Sequence, residues 1–265
     1  MPSFSEAFAQ AKLLFLDLDG TLYLEGKLFP KAKEFVDFAR NAGKQIVYLS
    51  NNSSKSTAQY LPRLKSLGLS SEESEIHNSL NATIWYLKQK GYKRLYVLGT
   101  PSVEQEFLKN DFQLTQTRVE AVVLTYDTTF HYQKMTAAHL HLHEGADFIA
   151  THLDLLCPAQ GHYLPDIGTF LSAFESIGWK PSEILGKPNP LMIESILNQR
   201  NLMAEDCLLF GDRLYTDIAM GQKTGMQSIL LLSGETKEED LQASEHQPSF
   251  VFSSISEALA NLNSP

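Results

Sequence analysis

Cysteine is scarce in this chain. Cys157 and Cys207 are the only two in 265 residues and lie far apart, which excludes a disulfide framework and suits a reducing compartment. Basic stretches are missing as well. The formal net charge is −9 with no run of Lys or Arg, so neither a nucleic acid nor an anionic membrane surface is an expected partner. No apolar run approaches the roughly 20 residues of a membrane-spanning helix. The N-terminal stretch lacks a basic segment, and its apolar run at 13–16 is broken by Asp17 and Asp19; a signal peptide is not expected there, and a cytoplasmic location is. Pro/Ser linkers, low-complexity tracts and internal repeats are absent too. An acidic chain of this kind can bind an anion only through a local positive site.

What is present is a rhythm. With 43% hydrophobic residues the chain can bury one large core or two moderate ones. LLFLD is followed by a helix-like segment at 31–41 closed by Gly43, then QIVYLS; later come CLLFGD, a helical stretch at 216–224 closed by Gly225, SILLLSG and FVF. Continuous apolar strands alternating with helices predict an α/β fold whose parallel sheet is covered by helices on both faces. RLYVLGT, AVVLTYD and DFIATHLD repeat the rhythm in the middle of the chain. They are assigned to a second α/β domain, 80–182, inserted into a core formed by 1–79 and 183–265.

The stretch LLFLDLDGT, beginning at residue 13, poses the chemical question. Two carboxylates stand two residues apart at the end of a strand that belongs in the core, and side chains so spaced share a face. At about 4 Å in a partly shielded site they would repel by about 4 kcal/mol, so they need a proton, a cation or open water. A solvated turn is the plain explanation; a calcium-binding helix–loop–helix fits poorly, because Thr21 stands where a ligand should be. The other strand ends argue for a site. Asp17, Ser50 and Asp212 all close predicted strands, and in parallel sheets ligands bind at those carboxyl ends. Asn51 and Asn52 follow Ser50, Asp217 follows Asp212, and Lys187 precedes a helix that Asn189 can cap and Pro190 can begin. Carboxylates from two strand ends suit Mg²⁺, and a hydroxyl, an amide and a lysine suit a phosphate dianion. Mg²⁺ and Lys187 would then form the local positive site.

DLDGT, the strand ending in Ser50-Asn51, GKP and GDRLYTD occur in the order of the four motifs of the haloacid dehalogenase-like phosphatase superfamily, which the chain resembles over nearly its whole length. Asn51-Asn52, FIATHLD, GKPNPL and LLLSGET are similar to the subfamily of N-acetylglucosamine-phosphate, 4-nitrophenylphosphate and phosphoglycolate phosphatases. The resemblance implies a Rossmann-like core with an inserted cap and Mg²⁺-dependent hydrolysis of a small phosphorylated metabolite. Asp17 would be the nucleophile that forms an aspartyl-phosphate, and Asp19 the acid and then the base, with its backbone carbonyl on the metal. Ser50, Asn51 and Asn52 would hold phosphoryl oxygens, Lys187 would steady Asp17 and the transferring group, and Asp212 and Asp217 would complete the metal site. The acid at position 19 favours ester hydrolysis over the chemistry of dehalogenases or ion pumps. Thr21 to Gln45 holds only a flap and one helix, whereas Asn52 to Lys187 holds a whole domain, so the cap belongs at the second insertion point.

Departures from the pattern concern the cap. The common Ala-Thr-Asn-Pro-Asp reads ATHLD, with His152 and Leu153 exchanged, and Pro-Gly-x-Gly-Ser reads PDIGT, with Asp166 and Thr169. Cys157 stands before Pro158 where relatives acting on pyridoxal phosphate carry His. His152 and Cys157 are therefore the expected tuners of substrate choice. His139, His141 and His143 are expected to mark a solvated helix face rather than a metal site, Cys207 to pack in a strand, and Asp127 and Tyr126 to form a turn or face substrate. A homodimer through the cap is left open. A phosphomutase or phosphotransferase on the same scaffold is the nearer alternative; a phospho-accepting signalling module is the remoter one, since such receivers are shorter and pair their acids adjacently.

Overall fold

The computed structural model describes residues 2–24, 26–69, 72–159 and 162–263. Two compact units emerge. The first comprises Met1–Ser50, Tyr60–His77 and Lys187–Pro265; the second comprises Asn51–Gln59 and Asn78–Gly186. Relative to the boundaries read from the sequence, 51–59, 78–79 and 183–186 fall in the second unit instead of the core.

The first unit is built on a six-stranded sheet in the order Phe250–Phe252, Gln227–Leu231, Cys207–Gly211, Leu13–Asp17, Gln45–Ser50, Ile76–Asn78. Pairings from Gln45–Ser50 to Phe250–Phe252 are all parallel. Alternation of side chains between two covered faces explains why residues 13–16 are apolar throughout. Leu14 and Leu16 pack with Phe4, Phe8, Phe35, Val36 and Ile255 on one face; Leu13 and Phe15 pack with Met192, Ile193, Ile196 and Met220 on the other. Cys207 belongs to that second layer, where burial pushes its thiol up to about 12. The helix Ala32–Asn41 presents Phe35, Val36 and Ala39 to the core, and Gly43 behind it takes φ of 76°. The helix expected at 216–224 is not one α-helix: Leu214–Ile218 is a π-turn that runs into Ala219–Thr224. Wide turns of this kind often carry functional side chains, and Asp217 lies in this one.

The second unit has a five-stranded parallel sheet in the order Glu183–Ile184, Asp147–Ala150, Ala121–Leu124, Arg94–Leu98, Gln113–Leu114. Its core gathers Leu98, Val122, Leu124, Phe148 and Ala150 from the strands, and Leu142, Ile167, Leu171 and Phe174 from the helices Tyr132–His143 and Ile167–Ser176. An antiparallel hairpin, Leu156–Ala159 with His162–Pro165, completes it. The histidines of Tyr132–His143 are not uniformly solvated. His141 is buried against Tyr96, with ring centroids 5.0 Å apart, and His139 Nδ1 accepts the Trp179 indole N–H at 2.9 Å. Only His143 of the three is exposed. No helix among the described residues is long and apolar enough to cross a membrane.

Candidate active site

Register brings the acids together. Leu13–Asp17 and Cys207–Gly211 are neighbours paired Leu16 to Phe210, so Asp17 and the Asp212 that follows Gly211 leave the sheet side by side. This pair of strands is where the strand order reverses, the position at which open α/β sheets form ligand crevices. Ser50 closes the strand on the other side of Leu13–Asp17 and is buried. Ligand-capable oxygens of Asp17, Asp212 and Asp217 lie within 4.8 Å of one another, and all three residues are buried.

Lys187 is the cation of the cluster. Its ammonium donates to Asp17 Oδ1 and, at 2.7 Å, to Asp217 Oδ1. Burial alone would depress this lysine, but the two carboxylates prevail and hold it raised. Asp17 is pushed up to about 6, because burial disfavours its charge by more than Lys187 favours it, with Asp217 adding repulsion. Asp212 is raised well above the carboxylate range by burial and then by Asp17 and Asp217.

Asp212 is the most constrained of the three. Its Oδ2 accepts the Glu235 N–H at 2.8 Å, and its Oδ1 is buried with no hydrogen-bond partner among the described residues. Gly20, at φ of 91°, closes over it; a Cβ there would stand 2.2 Å from Asp212 Oδ2, so only glycine fits. A buried carboxylate oxygen without a donor is costly. An orphan oxygen in an oxygen-only cluster is what a hard divalent cation satisfies, so these residues fit Mg²⁺. Asp217 is different, since Oδ1 serves Lys187 while Oδ2 accepts from Arg213 N and Thr216 Oγ1, each at 3.3 Å.

Asp19 stands apart from this cluster. The strand stops at Asp17, and Asp19 is bridged to Tyr23, whose hydroxyl lies 3.5 Å from Asp19 Oδ2. Arg63 stacks over the Tyr23 ring at 4.6 Å. Burial raises the Asp19 carboxyl, with Arg63 and Arg213 opposing.

The remaining expected residues lie in the second unit. Asn51 donates to both oxygens of Asp154 at 3.3 and 3.5 Å. Asn52 Oδ1 accepts from Ser54 N at 3.0 Å, and its amide reaches Cys157 Sγ at 3.8 Å. His152 is fully buried between Thr151 Oγ1 and Asp166 Oδ1, each 3.1 Å away. Asp127 forms a turn, pairing with Lys134 at 2.6 Å and accepting from Thr129. The sequence reading did not assign roles to Glu235, Ser233, Arg63 or Asp154. The phrase LLLSGET held the first two: Ser233 donates to Gly20 O at 2.9 Å, and Glu235 supplies the N–H that fixes Asp212.

Two family models match, a haloacid dehalogenase-like hydrolase over 14–113 and a HAD-hydrolase-like one over 184–258. The chain is 30% identical over 261 residues to the acid sugar phosphatase of Staphylococcus aureus (strain MRSA252), covering 96% of this chain and 98% of that one. It is 29% identical over 246 residues to the ribonucleotide monophosphatase NagD of Escherichia coli K12, at 93% and 97% coverage. The crystal structure of 4-nitrophenylphosphatase from Thermotoga maritima superposes with a TM-score of 0.92 at 35% identity, covering 97% of this chain and 99% of that one. Three motifs at adjoining strand ends, the Lys187 of the fourth bonded to Asp17, a matching fold and relatives matched almost end to end agree: the chain belongs to the haloacid dehalogenase-like hydrolase family, in the branch of NagD and 4-nitrophenylphosphatase.

Proposed function

We propose that this phosphatase hydrolyses phosphate monoesters of small metabolites by phosphoryl transfer to Asp17, with Mg²⁺ that Asp17, Asp212 and the backbone carbonyl of Asp19 would hold. The reading rests above all on the buried Asp17 carboxylate, bound to Lys187 beside an Asp212 oxygen that no group among the described residues satisfies. Mg²⁺, when bound, neutralises the carboxylates and the incoming phosphate dianion so that they can approach.

Lys187 holds one oxygen of Asp17 and so orients the carboxylate for attack on phosphorus. As the new O–P bond forms, the bond to the leaving alkoxide breaks. Asp19, raised by burial, carries the proton that this alkoxide takes. It then removes a proton from the water that attacks the aspartyl-phosphate, releasing inorganic phosphate and the free Asp17 carboxylate. Ser50 and the segment that begins with Asn51 and Asn52 provide donors for the phosphoryl oxygens. Asp217 acts as a positioning residue, because both its oxygens serve protein donors, one of them Lys187. The cap loop at 151–158 reads the leaving group, with half-buried Cys157 on its hairpin arm as the contact that varies.

The test is release of inorganic phosphate from a panel of phosphate esters, with and without Mg²⁺. Mg²⁺-dependent release without a rearranged isomer is the expected result, and a phosphate-migrated isomer would favour the mutase reading.

A further inference from the structure

Two residues flagged as departures in the cap, His152 and Asp166, are partners. His152 Nε2 lies 3.1 Å from Asp166 Oδ1, which also accepts the Ile167 N–H at 2.6 Å and so caps the helix Ile167–Ser176. Both side chains are buried. On the other side of the ring, His152 Nδ1 meets Thr151 Oγ1 at 3.1 Å, Thr151 Oγ1 meets Ser53 Oγ at 2.7 Å, and Ser53 Oγ accepts the Tyr126 N–H at 2.9 Å. One consistent set of donors runs through it: Tyr126 N–H to Ser53, Ser53 to Thr151, Thr151 to His152, and His152 Nε2–H to Asp166.

The loop that carries His152 is fastened to the start of the same helix at three more points. Gly168 N donates to Asp154 O at 2.9 Å, Asp166 N to Leu155 O at 2.9 Å, and Thr169 Oγ1 to Leu155 O at 3.0 Å. Gly168 itself passes so close that a Cβ would stand 2.4 Å from Leu153 O. Held in this way, the loop presents the Asp154 carboxylate to the Asn51 amide and the Thr151 hydroxyl to Ser53. Gly186, the residue before Lys187, is wedged against the same group: a Cβ there would lie 2.7 Å from His152 Cβ and 2.8 Å from Asn51 Oδ1.

We propose that His152 and Asp166 are a positioning pair, which locks the loop at 151–155 onto the helix Ile167–Ser176 and thereby fixes the phosphate-binding segment 51–53. The inference rests on the phosphatase reading, since it assigns the pair a task in that reaction. It also changes the role expected for His152. A fully buried ring with both nitrogens engaged acts on the phosphate donors through Thr151 and Asp154, and does not read the leaving group. Damage to the pair therefore falls on all substrates alike.

The experiment compares the wild type with His152→Asn, Asp166→Gly, Asp166→Asn and the double variant His152→Asn/Asp166→Gly. Readouts are kcat/KM for 4-nitrophenyl phosphate and acetyl phosphate, the orthovanadate inhibition constant, and the melting temperature. Either His152→Asn or Asp166→Gly strands a buried polar partner, and the expected loss in kcat/KM is about 5- to 150-fold. The loss should be equal for both substrates and matched by weaker vanadate inhibition. Asp166→Asn keeps an acceptor for both donors and should stay within about twofold of the wild type. The double variant, with neither partner stranded, should regain most of the loss. Additive losses, unchanged single variants, or a loss confined to one substrate would overturn the proposal. A wild type inactive on every ester would count against the phosphatase reading, while the cycle in melting temperature and vanadate binding would still decide on the pair.

Discussion

Each unit of the molecule carries a tight trio of ligand-type residues, Asp17, Asp212 and Asp217 in one and His152, Asp154 and Asp166 in the other. They look alike as lists and differ as chemistry. In the cap trio the charges and polar atoms answer one another: His152 pairs with Asp166, which also caps a helix, and Asp154 takes the Asn51 amide. In the core trio Asp17 and Asp217 share one lysine, and Asp212 Oδ1 has no hydrogen-bond partner among the described residues. A trio satisfied by its own protein is a fastening, whereas a trio left short of positive charge is a site that waits for a ligand. Proximity of ligand atoms does not separate the two; the account of donors and acceptors does.

The sharpest break in this comparison is Asp17→Asn, which removes the proposed nucleophile from the core trio. Steady-state turnover should fall by about 10³-fold or more with the fold retained, measured by phosphate release and by circular dichroism. Asp19→Asn follows, with an expected loss of about 10²- to 10⁴-fold. An aromatic leaving group needs little protonation, so this variant should still give a stoichiometric burst of 4-nitrophenol without sustained turnover in rapid-mix kinetics.

Much of the core trio was legible in the sequence because strand ends are. An apolar run that stops at a polar residue announces both the strand and its end, and Asp17, Ser50 and Asp212 stand at such ends in the sequence. Gly43 and Gly225 announced helix ends through the left-handed conformation each adopts. The π-turn at Leu214–Ile218 was not legible, since its apolar spacing mimics an ordinary helix. Nor were the long-range partners: Glu235 holds Asp212 through a backbone N–H, which any residue type supplies. His152 and Asp166 were each visible as departures, yet only the fold reveals that the two departures are one bond. The segment 51–59 reads as core because it follows a core strand; its hydrogen bonds to Thr151, Tyr126 and Ser79 place it in the second unit.

A pH experiment sharpens the contrast further. In chelator, burial lifts Asp17 from its ordinary 3.8 to about 6 and lifts Asp212 as well. These two carboxylates bind more protons in the folded protein than in the unfolded chain over that interval, so their contribution to stability should fall as pH rises from about 4 to about 6, against an opposite contribution from His77, which burial holds down to about 4. Asp212→Asn should flatten the slope, and saturating Mg²⁺ should remove it, by about 2.7 kcal/mol of added stability at a hundredfold excess over its dissociation constant. Denaturant titrations at a series of pH values report both. Identical slopes in wild type and Asp212→Asn, unchanged by Mg²⁺, would show that these carboxylates are not the strained groups, because the His77 contribution is common to both proteins.

The smallest effect expected is on choice of substrate. Cys157→Ala should shift the ratio of kcat/KM values between bulky and small phosphate esters by about 10-fold, the lower end of what one pocket contact supplies. Ratios that stay constant across a substrate panel would remove Cys157 from leaving-group recognition.

Calorimetric titration with Mg²⁺ tests the difference between the two trios without any appeal to turnover. Wild type should bind one Mg²⁺, Asp212→Asn should show no heat of binding, and Asp166→Asn should bind as the wild type does. Binding that survives Asp212→Asn, or that vanishes with Asp166→Asn, would contradict the assignment of the core trio as the cation site and the cap trio as a fastening.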